Sequence, residues 1–517
     1  MLPVVIIVIL LFSAVSLSVV KKSGFAKAMT LLSLGIGFVL SMMCAIATGN
    51  GETIKLVLGS PPWNLSVSVG MLEAFMGCIF TGIGFLIMWA SCTMIEHDVE
   101  KRYVPLYYAL ICTLIAMLCG VVFFDNLFNV FIFIELSSFA AACIVIIKNQ
   151  PENVRAGLKY LALSILGSGF VLMAIVILYS LTKDIDKALT ISAIGNAFTH
   201  HHAFDHHETA VFFALLFLTI GIGFKSALFP MHIWLPDAHG TAPSPSSAVL
   251  SSLVLKAYVV FYIKMVFGAV SQSTFSHDNN ILMLMSAVLV FGVVAMLAGS
   301  VMAILQTDIK RMIAYSSVAQ IGYIFMGIGL GGLGTKEGLY AAIFHIFAHA
   351  ITKAGLFLVA GSIIEQTHNR RLDKMQGLGY QMPVTMTFFL IGALSMVGIP
   401  MFIGFNSKWN FAMSIMGSGK FWVMVALVIS SLLNALYYLP VVIRSFFGPE
   451  ARAKAEGPKV ERPISALLPI GLLSCGVIIF AIFASSTLVP FLEEAIKDFQ
   501  IVEVVRAVKA AAESVHH

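Results

Sequence analysis

What most constrains this chain is a succession of long apolar runs, each bounded by charged residues, prolines or glycine clusters. In a bilayer every backbone amide and carbonyl must be bonded within the protein, so spanning segments are either helices or the strands of a closed barrel. Barrel strands are short segments of about ten residues with alternating polarity, and the unbroken apolar runs here exclude them. Of the 517 residues 59% are apolar or aromatic and only 11% charged, where a soluble domain carries roughly 25% charged residues. The sequence therefore predicts an all-α polytopic membrane protein and excludes a cytosolic domain, a disordered chain and a nucleic-acid binder. The net charge of +5 does not change this, because topology distributes Lys and Arg in a membrane chain.

The runs place helices at roughly 2–20, 26–48, 68–94, 104–123, 126–148, 156–181, 209–238 and 246–267, then at roughly 280–305, 312–331, 338–362, 384–415, 420–445 and 464–488. That gives about fourteen spans in four blocks: 1–103 with helices 1 to 3, 104–267 with helices 4 to 8, 280–445 with helices 9 to 13, and 464–517 with the last span and an amphipathic tail. No basic residue precedes the first run and Lys21, Lys22 and Lys27 follow it, the reverse of a cleavable signal peptide. This run is expected to stay in the protein with the amino terminus outside. On that orientation 18 Lys and Arg fall in inward loops and 8 in outward loops or the tail, which supports an even helix count. The expected location is the inner (cytoplasmic) membrane, multi-pass, with both termini outside.

Cys44, Cys78, Cys92, Cys112, Cys119, Cys143 and Cys475 lie in apolar runs or at their ends, and no two form a Cys-x-x-Cys pair. They read as small core residues, so no iron–sulfur cluster, zinc site or disulfide framework is expected. The loop from Lys183 to His207 holds His200, His201, His202, His206 and His207; without paired cysteines a solvated loop is the simpler reading than a zinc or nickel site, and no metal is expected. In the tail, Leu492, Ile496, Phe499 and Val502 share one side at helical spacing, which fits an interfacial helix or a docking surface for a neighbouring subunit.

Five charges interrupt segments that otherwise read as lipid-buried: Glu135, Lys225, Lys256, Lys353 and Lys408. A charge at mid-bilayer costs from about 2.5 kcal/mol upward, and five on five helices together suggest a polar path across the protein. The alternative is that each lysine snorkels or ties helices together. Two of the charges stand beside helix breaks. Pro230 and Pro236 interrupt the seventh run, with Pro243 and Pro245 following, and Gly398, Pro400 and Gly404 interrupt the twelfth. Broken intramembrane helices free carbonyls and amides, and ion sites collect there. The breaks lie five helices apart, and a five-helix unit repeated in tandem must be inverted, so helices 4 to 8 and 9 to 13 are expected to be inverted repeats. His345, His349 and Lys353 recur every fourth residue on one helix face, and imidazole exchanges protons near neutral pH. His232, Asp237 and His239 in the broken seventh segment are possible accessory groups, with histidines bonded in a crowded core as the alternative.

FKSALFPMHIWLPDAHGTAPSPSSAVLSSLVLKAY, TDIKRMIAYSSVAQIGYIFMGIG, IFHIFAHAITKAGLFLVAG and GIPMFIGFNSKW resemble, in order and spacing, the antiporter-like subunits of respiratory complex I and the D subunit of Mrp-type cation/proton antiporters. The same subunit type occurs in membrane-bound hydrogenases and formate hydrogenlyases, and the resemblance covers about residues 65–445. It implies a proton channel of two half-channels joined by a lysine-rich axis, with no cofactor or catalytic centre of its own. By that resemblance Glu135 is the helix 5 glutamate that pairs with Lys225 of helix 7, and Lys256 is the connecting group of helix 8. His345, His349 and Lys353 are the helix 11 relay, and Lys408 opens toward the other side, where some complex I members carry glutamate. About 30 residues follow the last span, too few for the long lateral helix of the largest complex I member. A D-type or middle complex I subunit is the expected match. The implied partners are other membrane subunits, antiporter-like neighbours among them, with protons as cargo and sodium as the second candidate.

Two other classes compete with this reading. A membrane cytochrome would use intramembrane histidines as haem ligands but leaves the buried lysines and glutamate without a purpose. A stand-alone secondary cation transporter would move ions without a driving complex. The topology is tested directly: a cysteine at Ser514 reacts with an impermeant thiol reagent in cells lacking outer barriers, while one at Lys454 does not, and the opposite labelling pattern refutes the orientation.

Overall fold

A computed structural model of the chain describes all residues except 21, 50, 61–63, 183–188, 201–206, 271–278, 448–458, 498 and 500–517. Among the described residues thirteen helices are long and apolar enough to cross a membrane, from Leu2–Val19 to Ile464–Ile482. They divide by what surrounds them. In Ser244–Ala269 and Lys336–Thr367 the most apolar stretch is wholly buried and in Ile309–Gly332 it is 94% buried, whereas in peripheral helices such as Leu2–Val19 and Pro151–Thr182 the share is 39%. A helix enclosed by protein can carry polar groups that a lipid-facing one cannot, and the central helices are the ones that hold Lys256, His345, His349 and Lys353. The peripheral faces expose Phe12, Leu32, Val425 and Leu432, as expected where lipid is the solvent.

The twelfth expected span is two helices, Pro383–Val397 and Ile403–Ser418, each too short to cross alone, which is why thirteen rather than fourteen helices qualify by length. The first half stops at Gly398, whose φ of +91° favours glycine, and an added Cβ there would stand 2.7 Å from Lys408 Cδ. The seventh expected span also divides, into Glu208–Ser226 and the short helix Leu235–Thr241, with Ala227 left-handed at φ +58° and Pro230 in the turn between them. Three further features depart from expectation. Ile54–Leu58 and Leu65–Val69 form an antiparallel hairpin in register Ile54↔Val69. Its alternation, too short to stand out between two apolar runs, gave no separate signal. Ile191–His200 is helical within the expected loop; His201, His202 and His206 lie outside the described residues. Finally, the Ala484–Lys497 helix turns Leu488, Leu492 and Ile496 onto the chain itself, and Phe499 is buried with them. That apolar stripe is therefore spent on intramolecular packing rather than on lipid or a neighbour, while Val502 lies outside the described residues.

Close backbone-to-backbone packing joins Asn279–Ile304 to Ile309–Gly332. A Cβ on Gly292 would meet the Met326 amide nitrogen at 2.4 Å and one on Gly299 the Ala319 nitrogen at 2.5 Å. The approach is reciprocal: Gly322 would meet Met296 nitrogen at 2.3 Å and Gly329 would meet Leu289 nitrogen at 2.6 Å. Glycines seven apart on both helices thus let the backbones touch, the way small residues drive helix association in lipid. Gly322→Leu is expected to cost on the order of 3 kcal/mol and to lower the thermal midpoint of the solubilised complex. Gly417→Ala, where an added Cβ meets nothing within 4 Å, changes it by less than about 0.5 kcal/mol; the check is size-exclusion after heating.

Candidate ion path

The Leu127–Ile146 helix starts at Asn126, whose side chain caps it, and carries Glu135 inward along its length. Lys225 stands in the last turn of Glu208–Ser226, immediately before the break. Its Nζ lies 3.3 Å from Glu135 Oε1 and donates to Ser138 Oγ at 2.8 Å and Ser164 Oγ at 3.0 Å. The lysine side chain is fully buried while the carboxylate keeps 23% exposure, so the pair is asymmetric. Ser168 donates to the same carboxylate oxygen, and the Tyr258 ring faces the ammonium at 5.6 Å. One carboxylate, two hydroxyls and an aromatic face thus replace the water that a charged lysine loses on burial.

Lys256, two residues before Tyr258, is completely buried and donates to the Ser251 carbonyl. That carbonyl lies in the π-helical turn Leu250–Val254, where the widened ladder frees an acceptor. Lys225 and Lys256 share no hydrogen bond among the described residues; Tyr258 is the side chain of the Lys256 helix that faces Lys225. Lys256 is within Coulombic range of His239, His345, His349 and Lys353. The rings of His345 and His349 are parallel with centroids 6.0 Å apart, as their spacing of four predicts. His345 Nδ1 is 2.7 Å from Ser407 Oγ, whereas His345 Nε2 and both nitrogens of His349 have no partner among the described residues. Lys353 donates to the Ile313 carbonyl at 2.8 Å and to Ser316 Oγ, with Tyr438 OH at 3.4 Å.

Lys408 closes the series. Its Nζ donates to the carbonyls of Met396 at 3.0 Å and Val397 at 2.8 Å, and to Ser431 Oγ at 3.0 Å. Those two carbonyls end the Pro383–Val397 helix, where intrahelical partners run out and the helix dipole is negative. The Tyr323 ring faces this ammonium at 5.4 Å, and His345 stacks on the same ring at 5.4 Å, which brings the relay histidines up to the second break.

The accessory candidates separate. His239 belongs to the central cluster, completely buried, with its ring on Phe357. His232 instead stacks on Phe229 and meets Tyr315 edge-on. Asp237 bridges Lys159 at 2.7 Å and Arg311 at 3.3 Å on a half-buried surface. Pro230 and Pro400 lie in the two breaks, while Pro236 opens the short helix that follows the first. Sequence reasoning missed two buried lysines. Lys310 is 1% exposed although its neighbours Asp308 and Arg311 read as a loop, and Lys264 pairs with Glu73 at 3.1 Å at the end of the Lys256 helix. No local pattern distinguishes Lys310 from a surface lysine, whereas Lys264, eight residues after Lys256, shares its helical face.

Against known proteins, residues 125–434 match the family described as the NADH:quinone oxidoreductase/Mrp antiporter transmembrane family. The chain belongs to this family. Its members are antiporter-like subunits of ion-translocating membrane complexes. NADH-quinone oxidoreductase subunit N of Desulforudis audaxviator is 32% identical over 506 residues, spanning 93% of this chain and 96% of the relative. Among solved structures, a chain of the archaeal membrane-bound sulfane sulfur reductase superposes with a TM-score of 0.86 at 24% identity, covering 98% and 99% of the two chains. A chain of respiratory complex I from Thermus thermophilus gives 0.80 at 18% identity, covering 97% and 100%. The antiporter-like fold of complex I subunits is thus the fold of this chain.

Proposed function

We propose that this protein is the proton-translocating subunit of a larger membrane complex, moving protons along Glu135, Lys225, Lys256, His345, His349, Lys353 and Lys408. The observation that carries this reading is the ion pair of Glu135 and a fully buried Lys225 beside a helix break, followed inward by titratable groups in Coulombic range of one another. Residues 104–267 and 280–445 form two inverted half-channels, each with one broken helix, and both termini face the positive side. The parent complex is of the complex I, Mrp or membrane-bound hydrogenase type, with antiporter-like neighbours. Sodium is the second cargo to test.

The pair works as a switch because the proton affinity of a buried lysine depends on how near its counter-charge stands. Moving Glu135 away from Lys225 releases a proton toward Lys256. From there it passes by His345, His349 and Lys353 to Lys408, and each occupied site changes the electrostatics of the next. A neighbouring subunit that shifts Glu135 thereby biases the whole series. The partial exposure of Glu135, against the full burial of Lys225, makes the carboxylate the movable member.

The test is proton pumping per turnover in vesicles holding the whole complex. Lys225→Ala is expected to leave the complex assembled and slow transport at least about tenfold, the loss of roughly 1.4 kcal/mol or more of barrier lowering. Glu135→Gln falls sharply too, while Glu135→Asp, which keeps the charge with shorter reach, retains part of the activity. Parental transport by an assembled Lys225→Ala complex refutes the path; parental pumping by Glu135→Gln reduces the ion pair to a structural contact.

A further inference from the structure

Two spanning helices that pack against each other, Asn279–Ile304 and Phe421–Phe446, end on one face beside the segment that holds Arg371 and Asp373. A cavity of about 320 Å³ opens where they meet. Its lining changes character with depth. Arg444 stands in the last turn of its helix, and Gln306 and Thr307 lie just beyond the end of the other. Leu436, on the same wall as Arg444, lies two helical turns further in, about 12 Å. Both helices are long enough to span a bilayer, so the polar end of the cavity sits at headgroup depth and the apolar end among hydrocarbon. Leu432 and Leu436 are exposed there, where lipid is the solvent.

The polar end favours an anion. Its charged residues are Arg371, Asp373 and Arg444, two guanidiniums against one carboxylate. Arg371 spends two nitrogens on Asp373, at 3.0 and 2.8 Å, whereas the Arg444 guanidinium has no partner among the described residues. An unspent guanidinium is a planar fork of donors that matches two oxygens of a phosphate. Gln306 gives its amide nitrogen to the Met302 carbonyl at 3.0 Å and keeps its oxygen for a hydroxyl. The cavity wall also reaches the interior through Tyr437, whose hydroxyl donates to Asn434 Oδ1 at 2.6 Å. Asn434 donates in turn to the Met396 carbonyl at 3.2 Å, the same carbonyl that accepts from Lys408 at 3.0 Å. Beside it the Tyr438 ring packs on Tyr437, centroids 4.7 Å apart, with its hydroxyl 3.4 Å from Lys353.

We propose that this cavity binds one anionic phospholipid of the phosphatidylglycerol type. Its phosphodiester lies between Arg444 and Arg371, its headgroup hydroxyls meet Gln306 and Thr307, and its acyl chains follow Leu436 and Leu432 into the bilayer. A basic pocket at the end of membrane helices holds an anionic headgroup by charge, while the chains add apolar contact that a soluble phosphate lacks. The bound lipid fixes the end of the Phe421–Phe446 helix and with it Tyr437 and Asn434, on which the Met396 carbonyl beside Lys408 depends. Lipid binding stands without any assumption about transport; its influence on pumping rests on the proton-path reading above.

The test is photolabelling of the whole complex in phosphatidylcholine vesicles that contain a small share of phosphatidylglycerol with a diazirine in one acyl chain. Mass spectrometry of the digested chain is expected to find adducts at Leu432 and Leu436, and a phosphatidylcholine carrying the same diazirine is expected to label there at least about fivefold less. Arg444→Gln lowers the phosphatidylglycerol adducts by a similar factor, and Arg444→Lys keeps part of them. Equal labelling by the two lipids, or by the parent and Arg444→Gln, overturns the site, as does the absence of adducts in the parent, the result if a neighbouring subunit fills the cavity. Loss of the adducts on adding millimolar inorganic phosphate also overturns it, since the site would then take a soluble anion. Should Arg444→Gln not assemble, Leu436→Trp, which fills the apolar end, decides in its place. Proton pumping is read in the same vesicles with and without phosphatidylglycerol. The parent is expected to pump severalfold faster with the lipid and Arg444→Gln to show no response; a parent indifferent to the lipid refutes the link to Lys408. Lys225→Ala run alongside separates the readings: normal pumping by that variant refutes the proton path and leaves the labelling result standing.

Discussion

The structure depends on how positive charge is housed where there is no water. Lys225, Lys256, Lys264, Lys310, Lys353 and Lys408 are all buried, and of these Lys225 and Lys264 have a carboxylate within ion-pair distance. Burial of an uncompensated ammonium costs several kcal/mol even after relaxation, so every one of these groups must find oxygen. Apart from Lys225, each finds a backbone carbonyl: Val122 for Lys264, Ser251 for Lys256, Ala242 for Lys310, Ile313 for Lys353, and Met396 with Val397 for Lys408.

Regular helices have few carbonyls to spare, and that explains the irregularity of the fold. Val122, Ala242, Met396 and Val397 stand at or next to helix ends, and Ser251 lies in a π turn. The break at Gly398 thus creates the acceptors for Lys408, and the end of the short helix after the Pro230 break supplies one for Lys310, while Ile313 accepts from Lys353 inside a regular helix. Neutral oxygens also leave the proton free to move, since a lysine held by carbonyls and hydroxyls is not locked by a full counter-charge. Lys225 and Lys408 repeat one arrangement at the two breaks, an ammonium over a tyrosine ring with serine hydroxyls beside it.

Precision in such sites requires a rigid surround. The glycine contacts between Asn279–Ile304 and Ile309–Gly332 fix the helix that carries Lys310, Ser316 and Tyr323. Every one of these three faces a different lysine or histidine of the interior: Lys310 is near His239, Ser316 accepts from Lys353, and Tyr323 lies under Lys408 and His345. A shift of that helix would disturb all of them together. Lipid-facing helices need no such fit, because an apolar side chain meets hydrocarbon equally well in any rotamer.

Helix number and position were legible in the sequence because the bilayer imposes one rule, apolar runs long enough to cross it, and 104–123 or 464–482 show that rule locally. Both breaks were legible too, since proline and glycine act on the backbone next to them, and so was the stacking of His345 on His349, which helical spacing alone sets. The pairing of Lys225 with Glu135, 90 positions apart, was expected only through the family resemblance and not from any local pattern, and the membership of His239 in the central cluster depends on Phe357 and Lys353, more than a hundred positions away. The burial of Lys310 is likewise decided by Ala242, 68 residues distant, and not by the Asp308 and Arg311 that flank it. Composition and periodicity determined which segments enter the membrane, because transfer from water is a property of the segment itself. Which charges then meet was decided only by tertiary packing, because Coulombic and hydrogen-bond partners are chosen by distance in space, on which separation along the chain has no bearing.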